Sequence, residues 1–245
     1  MIKNFLKYIT KMFGYNISRY DILFLIKLKE KKLKNIIELR NRFSQLNQDL
    51  FVLSQLNYKK NGYFVEFGAM DGILYSNTYL LEKKFSWKGI LAEPIKSYSP
   101  ILKQNRKSII ETDCVWSKSN QFVEFNEVES KELSTVSYFN SCDNHADARK
   151  KGVTYSVRTI SLSDLLEKNS APKIIDYLSI DTEGSEYEIL KEFDFSKFRF
   201  RVITCEHNYT DSRDKLLLLL EKNGYKRLYT NISRFDDWYI DTTLK

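Results

Sequence analysis

Acidic side chains and a histidine follow four short apolar runs of this 245-residue sequence. The segments in question are Glu66-Phe67-Gly68-Ala69-Met70-Asp71-Gly72, Ala92-Glu93-Pro94, Asp181-Thr182-Glu183-Gly184-Ser185-Glu186 and Cys205-Glu206-His207-Asn208. If the runs are parallel strands, their carboxyl ends meet at one edge of the sheet, where ligands bind. Carboxylates and imidazoles can accept and donate protons. The sequence therefore predicts one site to which all four segments contribute.

The first two segments favour a nucleoside ligand. Gly68 lets the backbone approach a ligand closely, and Gly72 permits tight packing between a helix and a strand. An acid at Glu93 can accept both hydroxyl hydrogens of an adenosine ribose. The middle glycine of the G-x-G-x-x-G dinucleotide fingerprint is missing, which counts against a nicotinamide-dependent dehydrogenase. That enzyme class stays an alternative.

The last two segments carry groups that could act on a substrate. Ser185 and Glu188 have the spacing of a helix capping box, but capping does not explain Asp181. His207 can take a proton near neutral pH, with a structural, hydrogen-bonded histidine as the alternative. The other histidine, His145, falls in a polar stretch that is either a surface loop or part of a substrate lid.

The elements that must position these segments alternate along the chain, as a parallel sheet covered by helices requires. Strands are predicted at residues 63–67, 88–92, 108–115, 174–180, 201–205, 225–229 and 238–241, and helices at 75–84, 97–105, 161–168, 186–192 and 213–222. Residues 117–159 interrupt the alternation and are predicted to form a strand-rich insertion. Ser161 is the predicted N-cap of the helix that follows it.

Residues 1–43 are predicted to form a basic helical arm, and residues 44–245 the main domain. The net charge is +7, and residues 1–42 alone carry eleven Lys and Arg against three Asp and Glu. Apolar residues recur there at helical spacing. The arm either packs on the domain or a second subunit, or lies on an anionic membrane surface. The rest of the chain has nearly equal numbers of acidic and basic residues, so we expect no nucleic-acid partner.

Composition excludes several other classes of protein. Aromatic residues make up 14% of the chain, which excludes a disordered chain. The longest apolar runs, residues 22–26 and 216–220, are too short for a membrane span, and no signal peptide is visible at the N-terminus. The three cysteines, Cys114, Cys142 and Cys205, lack metal-site spacing. We therefore expect a cytoplasmic protein, peripheral to the membrane if the arm binds lipid.

The four segments, together with Ser44-Gln45-Leu46-Asn47-Gln48-Asp49-Leu50, resemble the FkbM-type methyltransferases. The resemblance extends over residues 44–241. It implies methylation that depends on S-adenosylmethionine, usually of an oxygen, with sugars, polyketides and other small hydroxyl compounds as substrates. It also implies an α/β, Rossmann-like class I methyltransferase fold, in which a seven-stranded and mostly parallel sheet ends in an antiparallel strand.

On this resemblance, the cofactor lies against the first two segments and the end of the third strand. Gly68 and Gly72 would supply backbone contacts, Glu66 would face the amino or sulfonium side, and Glu93 would bind the ribose. Asp113 and Cys114 would lie at the adenine. The full predicted cofactor-binding set is Glu66, Gly68, Ala69, Gly72, Asn77, Glu93, Asp113 and Cys114.

Transfer of a methyl group to a hydroxyl needs the reactants held in line and a base for the proton. Asp181, His207 and Glu183 are the predicted catalytic residues, and Glu206 and His145 are predicted to face the substrate. Asp181, Glu183 and Glu206 could also hold a divalent cation through oxygen ligands. A site without an ion is the alternative.

The sequence thus predicts an O-methyltransferase that uses S-adenosylmethionine and acts on a glycan or another small hydroxyl compound. A nucleoside-binding or scaffold protein with the same fold and no turnover is the alternative outside enzymes.

Overall fold

The computed structural model describes residues 43–244. Its large sheet contains β1 Tyr63–Phe67, β2 Lys88–Ala92, β3 Ile109–Glu111, β8 Ile174–Ile180, β9 Arg199–Glu206, β10 Tyr225–Leu228 and β11 Asp236–Asp241. The second sheet contains β4 Cys114–Trp116, β5 Phe122–Glu127, β6 Thr135–Val136 and β7 Val153–Ser161. The helices are α1 Gln48–Gln55, α2 Tyr79–Phe85, α3 Ser99–Asn105, α4 Ala146–Arg149, α5 Leu162–Lys168, α6 Glu186–Lys191 and α7 Ser212–Lys222. The predicted arm, except Phe43, lies outside the described residues.

The large sheet has seven strands in the order β10-β11-β9-β8-β1-β2-β3. Strand β11 pairs antiparallel with both of its neighbours, and the other pairings are parallel. The predicted class I methyltransferase sheet, with its antiparallel last strand, is confirmed. The chain runs outward from β1 to β3 and later returns to β8 beside β1. The crevice between β1 and β8 is therefore the topological switch point, where ligands bind in open α/β sheets.

Helices cover both faces of the large sheet. In β11, Trp238 stacks on Phe51 of α1 with ring centroids 4.8 Å apart. The next residue, Tyr239, belongs to the apolar cluster that contains Leu216 and Leu220 of α7. Successive side chains of a strand point to opposite faces, so α1 and α7 pack on opposite sides of the sheet.

The insertion forms the second sheet, of four strands in the order β4-β7-β5-β6. The strand predicted at residues 108–115 is in fact two strands, because β3 pairs with β2 whereas β4 pairs with β7. The chain leaves the large sheet between them, at Thr112 and Asp113. Ser161 is the N-cap of α5, as predicted, and its side chain accepts a hydrogen bond from the amide of Asp164.

The helices in the described part of the chain are all too short or too polar to span a lipid bilayer.

Candidate active site

A cavity of about 360 Å³ opens at the carboxyl ends of β1, β2, β8 and β9, and residues of the insertion close one side of it. The predicted site residues that line it are Glu66, Gly68, Asn77, Glu93, Cys114, His145, Asp181, Glu183 and Glu206. Four others do not line it, namely Ala69, Gly72, Asp113 and His207. All four segments singled out in the sequence therefore reach one cavity, although not every residue of each does.

Gly68 follows β1 and lies close to the backbone of Asp181, which follows β8. Its φ is +76°, and a Cβ atom placed on it would lie 2.0 Å from the backbone oxygen of Asp181. A side chain would therefore force the two strand ends apart. Its amide donates to the carbonyl of Ala92, so the turn is also fixed to β2. Because position 68 is a glycine, the turn after β1 can lie next to Asp181, the first residue of the acidic segment, and both residues line the cavity.

Glu93 follows β2, and its carboxylate is buried beside the turn after β1. The amide of Met70 donates to Oε2 at 2.8 Å, and the amide of Ile95 donates to Oε1 at 2.8 Å. Burial raises the pKa of Glu93 to about 7, although the two amides act in the opposite direction. Each oxygen keeps a lone pair that can accept a further hydrogen bond. The carboxylate is thus held in one orientation at the wall of the cavity.

Glu66, at the penultimate position of β1, binds the segment that follows the glycine turn. Its carboxylate accepts hydrogen bonds from the Ser76 hydroxyl at 3.0 Å, the Asn77 amide at 2.7 Å and the Thr78 hydroxyl. The guanidinium of Arg106 lies 3.7 Å away. With so many protein partners, Glu66 shapes the wall of the cavity and is not free to bind a ligand through both oxygens.

Asn77 presents an acceptor without a partner to the cavity. Its Nδ2 donates to the Ser179 hydroxyl at 2.9 Å, while Oδ1 is buried and has no hydrogen-bond partner. Buried polar atoms are nearly always hydrogen-bonded in folded proteins. A ligand with a donor group in this half of the cavity would complete the hydrogen bonding of Asn77.

The structure corrects the positions of three predicted cofactor-binding residues. Asp113 follows β3 outside the cavity, in a separate shallow depression 3.9 Å from Arg158. Gly72 does not line the cavity and keeps only the packing role that the sequence also predicted, since a Cβ there would lie 2.6 Å from side-chain atoms of Leu102 and Arg106. Ala69 is buried in the core.

Cys114 does line the cavity, and its thiol is buried there. Burial raises the pKa of this thiol to about 12, so it is an apolar wall and not a nucleophile.

Three carboxylates meet on the other side of the cavity, and their ligand oxygens lie within 4.8 Å of one another. Asp181 and Glu183 follow β8, and Glu206 ends β9. Burial raises the pKa of all three, that of Asp181 to about 6, and the charge of Asp181 further raises the pKa of Glu183 and of Glu206. Strongly perturbed carboxyl groups in a cleft are typical of functional sites.

Arg149 connects the insertion to this cluster. The guanidinium is fully buried and lies 2.7 Å from Glu183 Oε2 and 2.8 Å from Asp143 Oδ1. It also donates to the carbonyl of Leu133 at 2.8 Å. The hydroxyl of Thr135 donates to the backbone oxygen of Glu183 at 2.9 Å. The insertion is therefore bound to the acidic segment by charged and backbone contacts.

The acidic turn is held by Glu186 and not by a capping box. Ser185 makes no side-chain capping bond to α6, so the predicted pairing with Glu188 is wrong. Instead Glu186 Oε1 accepts from the amides of Thr182 at 3.0 Å and Gly184 at 3.1 Å. This bond network fixes Glu183 in a left-handed conformation with φ +57°.

The structure also corrects the position predicted for His207. Its side chain is only 2% exposed, and it lies outside the cavity. Nδ1 accepts a hydrogen bond from the amide of Tyr209 at 2.9 Å, and Nε2 lies 3.8 Å from Asp237 Oδ1. Burial lowers the pKa of His207 to about 4, so the imidazole is neutral at neutral pH. Of the two histidines, His145 of the insertion is the one that lines the cavity.

The cavity is also lined by residues that the sequence did not single out as site residues, and Gln45 and Asn208 are two polar examples. Gln45 reaches it from the segment before α1, and Asn208 reaches it from the end of β9. Asn208 Nδ2 also donates to Glu183 Oε2 at 3.2 Å. Both lie within segments that resemble the FkbM-type family, and this resemblance is the sequence feature that could have identified them as site residues.

A family model described as the methyltransferase FkbM domain matches residues 66–227. A comparison with curated protein sequences found no relative.

Several solved structures resemble the chain at low sequence identity. The O-methyltransferase from Bacillus cereus in complex with SAH is 14% identical with a TM-score of 0.44, over 96% of this chain and 94% of that one. The precorrin-6y C5,15-methyltransferase from Geobacter metallireducens GS-15 is 12% identical with a TM-score of 0.40, over 78% and 85%. The human methyltransferase 10 domain containing protein is 16% identical with a TM-score of 0.42, over 80% and 79%.

Proposed function

The chain belongs to the FkbM methyltransferase family, and from this premise we propose that it methylates a hydroxyl oxygen of a glycan or another small hydroxyl compound. The enzyme is a methyltransferase that depends on S-adenosylmethionine, and this replaces the dehydrogenase alternative. The observation that carries the proposal is the composition of the cavity. One side has Gly68, Asn77 and Glu93, and the other has the three carboxylates Asp181, Glu183 and Glu206.

The first side fits the cofactor. Glu93 is held by two backbone amides with lone pairs to spare, which suits the two hydroxyls of a ribose. The unpartnered Oδ1 of Asn77 suits the ammonium of the methionine part. When bound, S-adenosylmethionine supplies a methyl group on a sulfonium sulfur, and the bond from that carbon to sulfur breaks as the acceptor oxygen bonds to it.

The second side fits an acceptor that must lose a proton. An alcohol becomes a good nucleophile only as its proton leaves, so a base at the hydroxyl is needed. Asp181 is the candidate base, because its pKa of about 6 leaves it largely ionised at neutral pH and still able to accept a proton. Glu206 and His145 orient the acceptor from β9 and from the insertion. Glu183, held by Arg149, fixes the position of the cluster.

The test begins with the cofactor. We expect calorimetric titration of the full chain to give micromolar binding of S-adenosylhomocysteine and no binding of NAD. Glu93→Ala should abolish this binding, whereas the exposed Glu124→Gln should not change it. If the wild type bound neither compound, a scaffold protein without turnover would become the better explanation.

The second step identifies the acceptor. The protein with S-adenosylmethionine is incubated with panels of sugars, glycans, other alcohols and, as controls, amines and thiols. Mass spectrometry should find a gain of one methyl group on oxygen in a hydroxyl compound. Methylation of amines or thiols alone would contradict the proposal while leaving the family assignment in place.

The remaining partners are proposals of the same kind. We expect a small-molecule or glycan acceptor and no nucleic acid, and contacts of residues 1–43 with a membrane surface or a second subunit. All three cysteines are free thiols, which fits the expected cytoplasmic location.

A further inference from the structure

The three carboxylates of the cavity come from two adjacent strands and converge on one point. Asp181 and Glu183 follow β8, Glu206 ends β9, and these strands pair in parallel. One oxygen of each lies within 4.8 Å of the others. At calcium–oxygen distances of about 2.3–2.6 Å, two ligands of one ion can be about 4.6–5.2 Å apart, and at magnesium–oxygen distances of about 2.0–2.1 Å they can be about 4.2 Å apart. The observed spacing is therefore compatible with a shared ion.

Glu206 shows that the cluster lacks a partner. The residue is 5% exposed and lines the cavity, yet its Oε2 is buried without a hydrogen-bond partner in the described part of the chain. A buried carboxylate oxygen without a donor or a cation destabilises the folded protein, because it has lost its hydrogen bonds to water. Structural acids are normally satisfied by arginine, lysine or backbone amides. This one belongs to a carboxylate that lies beside two other acids.

Neighbouring residues orient the cluster without neutralising it. Arg149 and Asn208 both donate to Oε2 of Glu183, which leaves Oε1 of that residue available. Arg149 also pairs with Asp143, so its single positive charge is shared between two carboxylates. Groups that hold a carboxylate by one oxygen and leave the other free are typical of the shell around metal ligands.

We propose that Asp181, Glu183 and Glu206 together bind one hard divalent cation of the class of Ca²⁺, Mg²⁺ and Mn²⁺. A ligand set made only of carboxylate oxygens favours such hard cations over zinc, which prefers nitrogen and sulfur. Three protein ligands leave further coordination positions on the side of the cavity. The ion would thus be reached by the substrate and not enclosed by the protein.

Resting on the proposed function, this site also specifies how the acceptor is held. A cation in the cluster would bind the acceptor through its hydroxyl oxygen and lower the pKa of that hydroxyl. Asp181 would bind the ion through one oxygen and accept the hydroxyl proton through the other. An acceptor with a second oxygen on the neighbouring carbon can bind the same ion twice. We therefore expect 1,2-diols and 2-hydroxy acids, including sugars, to be better acceptors than simple alcohols.

The experiment uses Mn²⁺ as the probe, because its electron paramagnetic resonance signal distinguishes free from bound ion. The full chain is titrated with Mn²⁺, with and without saturating S-adenosylhomocysteine. The wild type should bind one ion with a dissociation constant below about 1 mM. Glu206→Gln and Asp181→Asn, which keep the shape of the side chains, should each bind it at least tenfold more weakly. The exposed Glu124→Gln should bind it as the wild type does.

Binding of S-adenosylhomocysteine by the same samples separates the two proposals. If the cofactor product binds but the wild type takes up no single Mn²⁺ under either condition, the cation site is wrong and the methyltransferase function stands. Equal Mn²⁺ binding by the wild type and both cluster variants would also overturn the site. Failure of the wild type to bind S-adenosylhomocysteine, with Mn²⁺ binding intact, would instead contradict the proposed function.

Discussion

The guanidinium of Arg149 lies 2.7 Å from the carboxylate of Glu183 and is fully buried there. Arg149 belongs to α4 of the insertion, whereas Glu183 belongs to the turn after β8. This ion pair is therefore the contact through which the insertion fixes the acidic side of the cavity.

Replacing Arg149 by Met should destabilise the protein strongly. The change would leave Asp143 and Glu183 buried without their cation, and losing one partner of a buried ion pair costs about 3–5 kcal/mol. Urea denaturation should show this loss in the free energy of unfolding. Arg158→Met is the control, because that side chain is exposed and lies 3.9 Å from Asp113, so its loss should cost less than about 1 kcal/mol. Similar losses in the two variants would contradict the structural role of Arg149.

Gly68→Ala should destabilise the protein more than Gly224→Ala does. Both glycines have positive φ angles, +76° and +84°, so both variants suffer backbone strain of about 1 kcal/mol. Only at Gly68 would the new Cβ lie 2.0 Å from a backbone oxygen, that of Asp181. We expect a loss of about 3 kcal/mol or more for Gly68→Ala. Thermal unfolding of the two variants measures the difference. Equal melting temperatures would contradict the predicted clash between a Cβ at position 68 and the backbone oxygen of Asp181.

The affinity for S-adenosylhomocysteine should rise with pH through about 7. The pKa of Glu93 is raised to about 7 by burial, so below that pH the carboxyl group is mostly protonated. A protonated carboxyl group cannot accept hydrogen bonds through both oxygens, so the binding-competent fraction falls from about nine tenths at pH 8 to about one tenth at pH 6. Calorimetry at pH 6 and pH 8 should therefore give dissociation constants that differ about tenfold. Glu93→Gln should bind S-adenosylhomocysteine weakly, with an affinity that does not change with pH. If the affinity of this variant still rose with pH as in the wild type, a group other than Glu93 would be responsible.

Asp181 and His207 should behave differently when replaced. Asp181→Asn should lower kcat about 100-fold or more without changing the affinity for S-adenosylhomocysteine, because it removes the base. His207→Gln should keep kcat within about threefold, because the imidazole lies outside the cavity beside Asp237. Steady-state kinetics with the best acceptor of the panel test both expectations. A large fall in kcat for folded His207→Gln would show that the histidine reaches the substrate after all.

Deleting residues 1–42 distinguishes the two functions predicted for the arm. If the arm binds lipid, the deletion should abolish sedimentation with anionic vesicles, while methylation of a small acceptor survives. If it is a dimer contact, the mass in solution should change and vesicles should have no effect. Light scattering and vesicle sedimentation measure the two outcomes, and a deletion that changes neither would contradict both.

Much of the fold could be predicted because its signals are local. The strands expected at residues 63–67, 88–92 and 174–180 have those bounds in the structure. Each is a short apolar run ended by Gly, Pro or an acidic residue, and this pattern is visible in the local sequence without knowledge of the tertiary structure. Parallel strands place their carboxyl ends at one edge of the sheet, so the sequence also indicated where the site lies.

Features that depend on contacts between residues distant in sequence were decided only by the tertiary structure. The run at residues 108–115 became two strands, because β4 found its partner in β7, more than forty residues away along the chain. His207 and Asp181 both follow strand ends, yet the backbone after β9 turns the imidazole toward Asp237.

The convergence of Asp181, Glu183 and Glu206 likewise required the pairing of β8 with β9 and the left-handed turn at Glu183. The sequence thus determined which groups reach the edge of the sheet. Strand pairing and turn geometry decided which of them face the cavity. The direction of a side chain depends on contacts with residues that are distant in sequence, and the local sequence does not specify those contacts.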